Sequence, residues 1–365
     1  MGVVLSKKKL TSFQIIIIGF SSVILLGTLL LMLPISSRTG EFTSFADALF
    51  TSTSAVCVTG LIVFDTATYW SLFGQFVIML LIEIGGMGVI TVAASFAMIA
   101  GRKISLMQRS TMQEAIAAPK VGGIVRLTIF VIKATLMIEL LGAVAMSPVF
   151  CRDFGIKGLW MALFHSVSAF CNAGFDLMGV KSPFSSLTFY ADEPLINFPI
   201  MLLIIIGGIG FLTWDDIRAN RFHIHKYRMQ SKVIISTTAI LILIPALYFY
   251  FFEFSDLGLK ERIFSSLFQS VTPRTAGFNT VDLTSMSEAG QFTIILMLIG
   301  GSPGSTAGGM KTTTIAVLFA IAIATFRRRE DANFFGRRIN GDVLKNAATV
   351  FLMYITLSGV GGLII

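Results

Sequence analysis

Long apolar runs recur along the chain, and no other feature restricts its fold as strongly. A helix of roughly 20 apolar residues crosses the hydrocarbon core of a bilayer. Runs of about this length or longer lie at 13–34, 74–100, 124–149, 194–213, 232–252, 346–365 and, with an interruption, 289–327. Only 13% of the residues are charged, compared with about 25% in soluble domains. The sequence therefore predicts an all-α polytopic membrane protein.

Basic residues concentrate in alternate connections between the apolar runs. The net charge is +8, and 19 of the 28 Lys and Arg residues lie before the first run or near 102–126, 218–232 and 327–345. By the positive-inside rule these segments face the cytoplasm, which places the N-terminus there too. The anionic inner leaflet is a sufficient partner for them. We therefore predict contact with the lipid bilayer and no binding of nucleic acid.

Residue patterns typical of catalysis or metal binding are missing from the sequence. The cysteines Cys57, Cys151 and Cys171 have neither the spacing of a zinc site nor the even number of a disulfide framework. His165 lies in an apolar segment, and we predict a buried, hydrogen-bonded side chain there rather than a metal ligand. A membrane-embedded enzyme would need paired His or carboxylate groups within the spans, and no convincing pair is found. We predict that the protein is not an enzyme.

Three outer connections share one sequence pattern. They read SFADALFTSTSAVCVTGL (44–61), GLWMALFHSVSAFCNAGF (158–175) and ERIFSSLFQSVTPRTAGF (261–278). Each carries ALF or SLF, then TS, HS or QS, and then small residues that end at Gly60, Gly174 or Gly277. Ordinary amphipathic outer loops would not need this shared pattern. Three matches at similar spacing therefore indicate an internal repeat.

Each repeated segment is too short and too apolar for an ordinary connection. A helix of about ten residues cannot cross the bilayer, so we predict that it enters the membrane and returns. In the first segment this helix is expected to run through about Ser54, followed by a loop from Ala55 to Gly60. The helix C-terminus favours a cation, and exposed carbonyl groups replace an ion's hydration shell. Glycine permits the positive φ angles that such a loop needs.

The interrupted run holds the segment LIGGSPGSTAGGMKTTTIAV, with five glycines and one proline between Gly300 and Gly309. This composition predicts a broken helix with an irregular intramembrane loop over 300–311. An obstruction in the permeation path is the favoured role, and a passive kink is the alternative. A P-loop is not favoured, because Lys311 comes one residue too late. Lys311, Glu83 and Glu139 are intramembrane charges, although each glutamate has the simpler explanation of pairing with a neighbour such as Lys133.

The motifs SAVCVTGL, SAFCNAGF and VTPRTAGFN, together with GGSPGSTAGGMKT, resemble the Ktr/Trk/HKT superfamily of potassium transporters. The likeness is strongest to the membrane subunit of the Ktr type and covers essentially the whole chain. It implies span–re-entrant helix–filter loop–span repeats around one pore, pseudo-fourfold in the complete family. The repeats would cover 1–101, 102–217, 218–330 and, as the first span of a fourth, 331–365.

The resemblance also assigns residues to an ion filter and a gate. The implied filter residues are Val56, Cys57, Val58, Thr59, Gly60, Cys171, Asn172, Ala173, Gly174, Arg274, Thr275, Ala276 and Gly277. Potassium would meet the backbone carbonyls of Val58, Thr59, Asn172, Ala173, Thr275 and Ala276. The implied gate residues are Gly300, Gly301, Ser302, Pro303, Gly304, Ser305, Thr306, Ala307, Gly308, Gly309, Met310 and Lys311. In plant relatives serine at the first filter position goes with sodium preference, so Gly60 suggests potassium.

Partners and completeness follow from the same resemblance. The implied protein is a plasma-membrane homodimer on a cytoplasmic, KtrA-like ring, which alone would bind nucleotide, with Na⁺ as a possible activator. The chain ends inside what resembles the first span of the fourth repeat, so we expect it to be C-terminally incomplete and to conduct poorly alone. A sodium-conducting or unselective relative, a non-conducting fragment and a structural or receptor subunit are the alternatives to potassium uptake.

Overall fold

The computed structural model of the protein describes residues 11–99, 104–118, 120, 122–329 and 331–364. The helices of this part of the chain are joined by loops and turns, and its one sheet is an antiparallel pair of two-residue strands, β1 (Asn333–Phe334) and β2 (Arg337–Arg338). Four of its helices are long and apolar enough to cross a membrane, or five if one sharply bent pair is a single span. The prediction of a helical multi-pass membrane protein is confirmed.

The first third of the chain contains one spanning helix and several shorter ones. They are α1 (Ser12–Met32), α2 (Phe45–Val56), α3 (Thr66–Tyr69), α4 (Leu72–Met87), α5 (Val89–Ile99) and α6 (Leu106–Ile116). The predicted continuous span 74–100 is wrong in detail, because Gly88 separates α4 from α5. Its φ of 83° lies in the left-handed region, where a right-handed helix cannot continue.

The middle of the chain repeats this order with a sharper break. It contains α7 (Ile124–Phe154), α8 (Lys157–Phe170), α9 (Pro194–Gly208) and α10 (Phe211–Asn220). Helices α9 and α10 meet at 98°, so the predicted run 194–213 ends as a helix at Gly208. Gly210, with φ of 87°, forms the corner.

The remainder contains the interrupted run. Its helices are α11 (Met229–Tyr248), α12 (Leu259–Val271), α13 (Glu288–Phe292), α14 (Thr312–Phe326) and α15 (Gly341–Ile364). A 3₁₀ segment, Thr293–Leu298, continues α13. Regular helix is absent between Leu298 and Thr312, so the predicted broken helix is confirmed.

Helices α2, α8 and α12 are the short helices of the repeated segments. Their 12, 14 and 13 residues give lengths of roughly 18–21 Å, less than the roughly 30 Å of a bilayer core. One serine anchors each short helix to the preceding long helix. The hydroxyl donors and their carbonyl acceptors are Ser52 to Ile24 (2.7 Å), Ser166 to Glu139 (2.6 Å) and Ser270 to Ile242. These bonds give a physical reason for the recurring TS, HS and QS pairs.

Candidate functional site

Each short helix ends in a loop of the same backbone conformation. We name residues 57–60, 171–174 and 274–277 the first, second and third glycine loops. In all three, φ is positive at the glycine and again two residues before it. The angles are 55° at Val58, 58° at Asn172 and 62° at Thr275, then 79° at Gly60, 73° at Gly174 and 85° at Gly277. Three loops of different sequence thus have the same pattern of positive φ angles.

The loops are fixed to the ends of their own helices by backbone hydrogen bonds. The amide of Thr59 donates to the carbonyl of Ser54, and the amide of Ala173 donates to that of Ser168, both at 2.8 Å. Helix α2 continues to Val56, so the predicted helix end near Ser54 is two residues too early. Val56 is therefore the last helical residue, and its carbonyl oxygen faces Gly85 rather than another loop.

The three glycines lie against one another. A Cβ atom placed on Gly60 would overlap the carbonyl oxygen of Ala173, and one placed on Gly174 would overlap that of Ala276. A Cβ on Gly277 would lie 3.6 Å from the Cα atom of Gly174. The glycines leave space into which neighbouring carbonyl groups project, an arrangement suited to a cation that exchanges water for carbonyl oxygens.

Side-chain exposure differs among the loops. In the first loop Cys57 and Thr59 are exposed, whereas in the second loop Cys171, Asn172 and Ala173 are fully buried. The Asn172 amide nitrogen donates to the carbonyl of Arg274 at 3.1 Å and so joins the second loop to the third. The Arg274 side chain is also buried. No carboxylate side chain belongs to any of the three loops.

A recurring glycine pair supports these loops, and the sequence reasoning missed it. Ile-Gly-Gly occurs at 84–86, 206–208 and 299–301. Gly85 lies against the carbonyl of Val56, and Gly207 lies against that of Phe170, so any side chain there would collide with the end of a short helix. The identical tripeptide in three places was the signal that could have revealed this contact.

The loop predicted to lie within the membrane, residues 300–311, keeps the name intramembrane loop below, and it is hydrogen-bonded to the second glycine loop and its support. The amide of Ser302 donates to the carbonyl of Gly208 (2.9 Å), and the amide of Thr306 donates to that of Gly207 (3.2 Å). The Thr306 hydroxyl donates to the carbonyl of Phe170 (2.8 Å) and lies 3.2 Å from the Asn172 amide oxygen. The loop is therefore a folded element packed against the end of α8.

Lys311 satisfies its charge within the same loop. Its ammonium group donates to the carbonyl oxygen of Ala307 at 2.9 Å and lies 3.5 Å from that of Gly308. Within the part of the chain that the structure describes, no carboxylate pairs with it. The ammonium thus occupies carbonyl oxygens of the kind that also bind metal cations.

A sequence profile for the family described as TrkH, cation transport protein, matches residues 6–362 of the chain. The chain belongs to this family of cation transport proteins. It is 44% identical to the potassium/sodium uptake protein NtpJ of Enterococcus hirae, over 96% of this chain and 78% of the relative. It is 39% identical to the Ktr system potassium uptake protein B of Bacillus subtilis, over 98% of this chain and 81% of that one.

A solved structure agrees with this assignment at the level of the fold. The potassium transporter TrkH from Vibrio parahaemolyticus superposes with a TM-score of 0.69 at 21% identity, covering 95% of this chain and 70% of that one. The prediction that the protein is a transporter and not an enzyme is confirmed by the family. The expectation of C-terminal incompleteness is not supported, because the family match reaches residue 362.

Two glutamates of this TrkH-family chain meet behind the second glycine loop. Ligand atoms of Glu83, Glu139 and Cys171 all lie within 4.8 Å of one another. The predicted pairing with Lys133 is not found, because Lys133 forms no ion pair with either glutamate among the described residues. Each glutamate keeps one buried carboxylate oxygen without a hydrogen-bond partner. By residue type and distance these three side chains are the ones that could hold a metal ion within the described residues.

His165 has a structural role in this chain. Its Nε2 atom accepts from the amide of Leu177 at 3.2 Å, so its Nδ1 atom carries the proton and donates to the carbonyl of Met161 at 2.7 Å. The side chain is fully buried. The prediction of a hydrogen-bonded, buried histidine is confirmed.

Proposed function

We propose that this chain is the ion-translocating subunit of a Ktr-type system that takes up potassium across the plasma membrane. Potassium passes the three glycine loops and is coordinated by backbone carbonyl oxygens. The contributing residues are Val58, Thr59, Asn172, Ala173, Thr275 and Ala276. The observation that carries the proposal is the contact of Gly60 and Gly174 with carbonyl groups of the neighbouring loops.

The chemistry of the loops favours a weakly hydrated monovalent cation. The carbonyl groups at the ends of three helices carry partial negative charge. They replace hydration water without the strong binding that a ring of carboxylates would give, so the ion is able to leave again. The names of relatives at 44% and 39% identity, which include potassium uptake, support the same cargo.

The intramembrane loop is proposed as the gate. Its hydrogen bonds to Gly207, Gly208 and Phe170 place residues 300–311 beside the second glycine loop. A short loop held by a few hydrogen bonds has alternative positions at modest cost in free energy, since each bond contributes about 1 kcal/mol. Movement of this loop then opens or closes the path of the ion.

The assembly is proposed from the resemblance and from the charge distribution. The repeats cover 1–101, 102–217, 218–330 and 331–365, with the N-terminus in the cytoplasm and pseudo-fourfold symmetry around the pore. Two copies form a homodimer on a KtrA-like ring of regulatory subunits. Nucleotide binds the ring, and Na⁺ acts as an activator.

Substitution of Gly60 by Ser tests the filter assignment. The new side chain would meet the carbonyl of Ala173, so we expect the K⁺ over Na⁺ preference to fall by at least about tenfold, or 1.4 kcal/mol. Gly40→Ser is the matched control, because Gly40 also has a positive φ of 74° but nothing within 4 Å of its Cβ position. Rubidium and sodium uptake in cells lacking their own potassium uptake provide the measurement. Unchanged preference in Gly60→Ser would remove the filter assignment.

Sodium transport is the second candidate function. It is favoured by the name of the relative at 44% identity, a potassium/sodium uptake protein. Competition separates the two candidates, because a potassium-selective filter allows excess K⁺ to suppress ²²Na⁺ entry and allows little suppression in reverse. Equal suppression in both directions would favour an unselective cation pathway.

A further inference from the structure

A basic cavity opens beside the start of α7, on the face that we propose to be cytoplasmic. Its volume is about 430 Å³. Four basic side chains and one acidic side chain line it. They are Lys120, Arg126, Arg218, Arg228 and Asp215. The imbalance in charge selects an anionic ligand.

Three of the four basic groups keep a positive charge that no acidic side chain among the described residues neutralises. One of them, Arg218, also has its guanidinium over the ring of Phe130, at 4.6 Å from the ring centroid. Arg228 is engaged, with its Nη2 atom 2.8 Å from a carboxylate oxygen of Asp215. Lys120, Arg126 and Arg218 have no acidic partner within 4 Å among the described residues. All three side chains are exposed.

The N-terminus of α7 adds to the positive potential of the cavity. The helix begins at Ile124 after Gly123, and no side chain caps its first amide groups. Uncapped amides at a helix start bind phosphate and similar anions. Ile124 and Arg126 both line the cavity, so the helix start and the basic side chains act on the same ligand.

Two walls of the cavity are continuous with elements that hold the intramembrane loop. On one side Ala118 lines the cavity, and two residues earlier the carbonyl of Ile116 lies against Gly304. On the other side Leu212 lines the cavity, and the preceding amide of Phe211 donates to the carbonyl of Gly304 at 2.7 Å. The C-terminal end of α6 and the N-terminal end of α10 thus both contact the intramembrane loop at Gly304.

We propose that this cavity binds the phosphate group of an anionic phospholipid of the cytoplasmic leaflet. The bound headgroup holds α6 and α10 together and thereby stabilises the position of the intramembrane loop. Leu127 and Leu212 give the cavity an apolar side that suits a lipid better than a free anion. Basic pockets between membrane helices on this side bind such headgroups in other proteins. The regulatory part of this inference rests on the proposed function.

Lipid binding is measured first, on the purified full chain in detergent. Native mass spectrometry counts bound phosphatidylglycerol against phosphatidylcholine for the wild type and for Arg126→Gln/Arg218→Gln. The control is Arg109→Gln/Lys226→Gln, which removes the same charge from exposed residues that do not line the cavity. We expect phosphatidylglycerol binding to weaken by at least about tenfold in the cavity variant only. Equal binding by both variants overturns the proposal.

Two further arms separate the sources of phosphate and the type of partner. If orthophosphate displaces the lipid and no preference for phosphatidylglycerol is seen, the ligand is a free anion and the lipid assignment is wrong. If the cavity variant keeps its lipid but loses a cytoplasmic regulatory subunit, the occupant is a protein and the proposal is likewise overturned. Lys120→Gln, a single change at a third position, checks that any loss does not come from misfolding of the double variant.

Transport is measured separately in vesicles of phosphatidylcholine with and without phosphatidylglycerol. We expect rubidium uptake by the wild type to rise severalfold with phosphatidylglycerol, and the cavity variant to lose this dependence. A dependence that survives in the cavity variant contradicts the regulatory role. If lipid binding behaves as expected but no cation is transported in any vesicle, the proposed function fails while the lipid site stands.

Discussion

The first and second glycine loops have the same backbone but different surroundings. Their φ angles agree within 3° at Val58 and Asn172, and both loops make the same 2.8 Å amide bond back to a serine carbonyl. The second loop nevertheless has a loop on either side of it and is fully buried at Asn172. The comparison teaches that the helix end and the glycine set the loop conformation, whereas neighbouring elements decide which side chains carry further contacts.

A second difference concerns the serine that precedes each loop. The Ser168 hydroxyl donates to the carbonyl of Phe175 at 2.7 Å, which ties the second loop across its base. The corresponding Ser54 hydroxyl has no hydrogen-bond partner among the described residues. The second loop therefore depends on side chains at positions where the first loop does not.

The largest effect is expected for Gly174→Ala. Alanine in a left-handed conformation costs about 1–2 kcal/mol, and its Cβ would also overlap the carbonyl of Ala276. We expect rubidium uptake to fall by more than tenfold, since about 1.4 kcal/mol corresponds to that factor. Gly40→Ala carries the same backbone penalty without the overlap and should transport normally. Normal uptake by Gly174→Ala would show that the close approach of Gly174 to the carbonyl of Ala276 is not needed for transport.

A smaller effect is expected for Asn172→Ala compared with Val58→Ala. Both substitutions place alanine at a left-handed position. Asparagine tolerates this conformation better than valine does, so the loss in Asn172→Ala combines a backbone cost with the loss of the amide contacts. That amide bonds to Arg274 and Thr306, and removing it leaves buried groups unpaired at a cost of about 1–3 kcal/mol. We expect uptake to fall about fivefold to tenfold more in Asn172→Ala than in Val58→Ala. Equal losses would mean that the two loops are equivalent.

Stability distinguishes Ser168→Ala from Ser54→Ala. The first change leaves the buried carbonyl of Phe175 without its donor and should cost about 1–2 kcal/mol of unfolding free energy. The second removes a hydroxyl that has no hydrogen-bond partner and should be close to neutral. Thermal unfolding of both variants in detergent measures the difference. A greater loss of stability in Ser54→Ala than in Ser168→Ala would contradict the proposed difference between the two loops.

The smallest effect on stability is expected at the position two residues after the loop glycine. This residue is Ile62 in the first segment and Asp176 in the second. Burial, and secondarily the charge of Asp65, raises the pKa of Asp176 from 3.8 to about 6. The folded chain therefore holds the proton more tightly than the unfolded chain. Its contribution to stability is complete below about pH 4 and is lost as the pH rises to about 6.

Asp176→Asn tests this pH dependence. The variant should lack the decline between pH 4 and pH 6, a difference on the order of 1 kcal/mol, because one pKa unit corresponds to about 1.4 kcal/mol. Asp256→Asn changes an exposed acidic residue and should keep the wild-type profile. Unfolding midpoints across this range are the measurement, and an unchanged decline in Asp176→Asn would refute the assignment.

The sequence predicted the short helices and the glycine loops because these features repeat. Three aligned segments placed Gly60, Gly174 and Gly277 in equivalent positions, and the structure brings them together. The end of α2 lies at Val56, two residues after the predicted end near Ser54. Small residues such as Ala55 fit a helix as readily as a loop, so the sequence did not fix this boundary. The ion-binding role of the loops stays a prediction.

The directions of the helices and the contacts between residues distant in sequence could not be predicted from the sequence. Hydropathy counts apolar residues but carries no angle, so the 98° turn between α9 and α10 looked like one continuous span. The contact of Glu83 with Glu139 joins α4 to α7, and tertiary packing, which no local pattern records, creates it. The threefold Ile-Gly-Gly was visible but had no interpretation without the helix ends that rest on it.

The ammonium group of Lys311 is a covalently attached cation that binds the intramembrane loop in the way a transported cation could. Its ammonium occupies the carbonyl oxygen of Ala307, a group that would otherwise be available to a passing cation. If the loop lies on the ion path as proposed, an arriving ion repels the ammonium and competes for the same oxygen. Ion occupancy and loop position are then thermodynamically linked, so the concentration of the permeant ion itself biases how often the path is open.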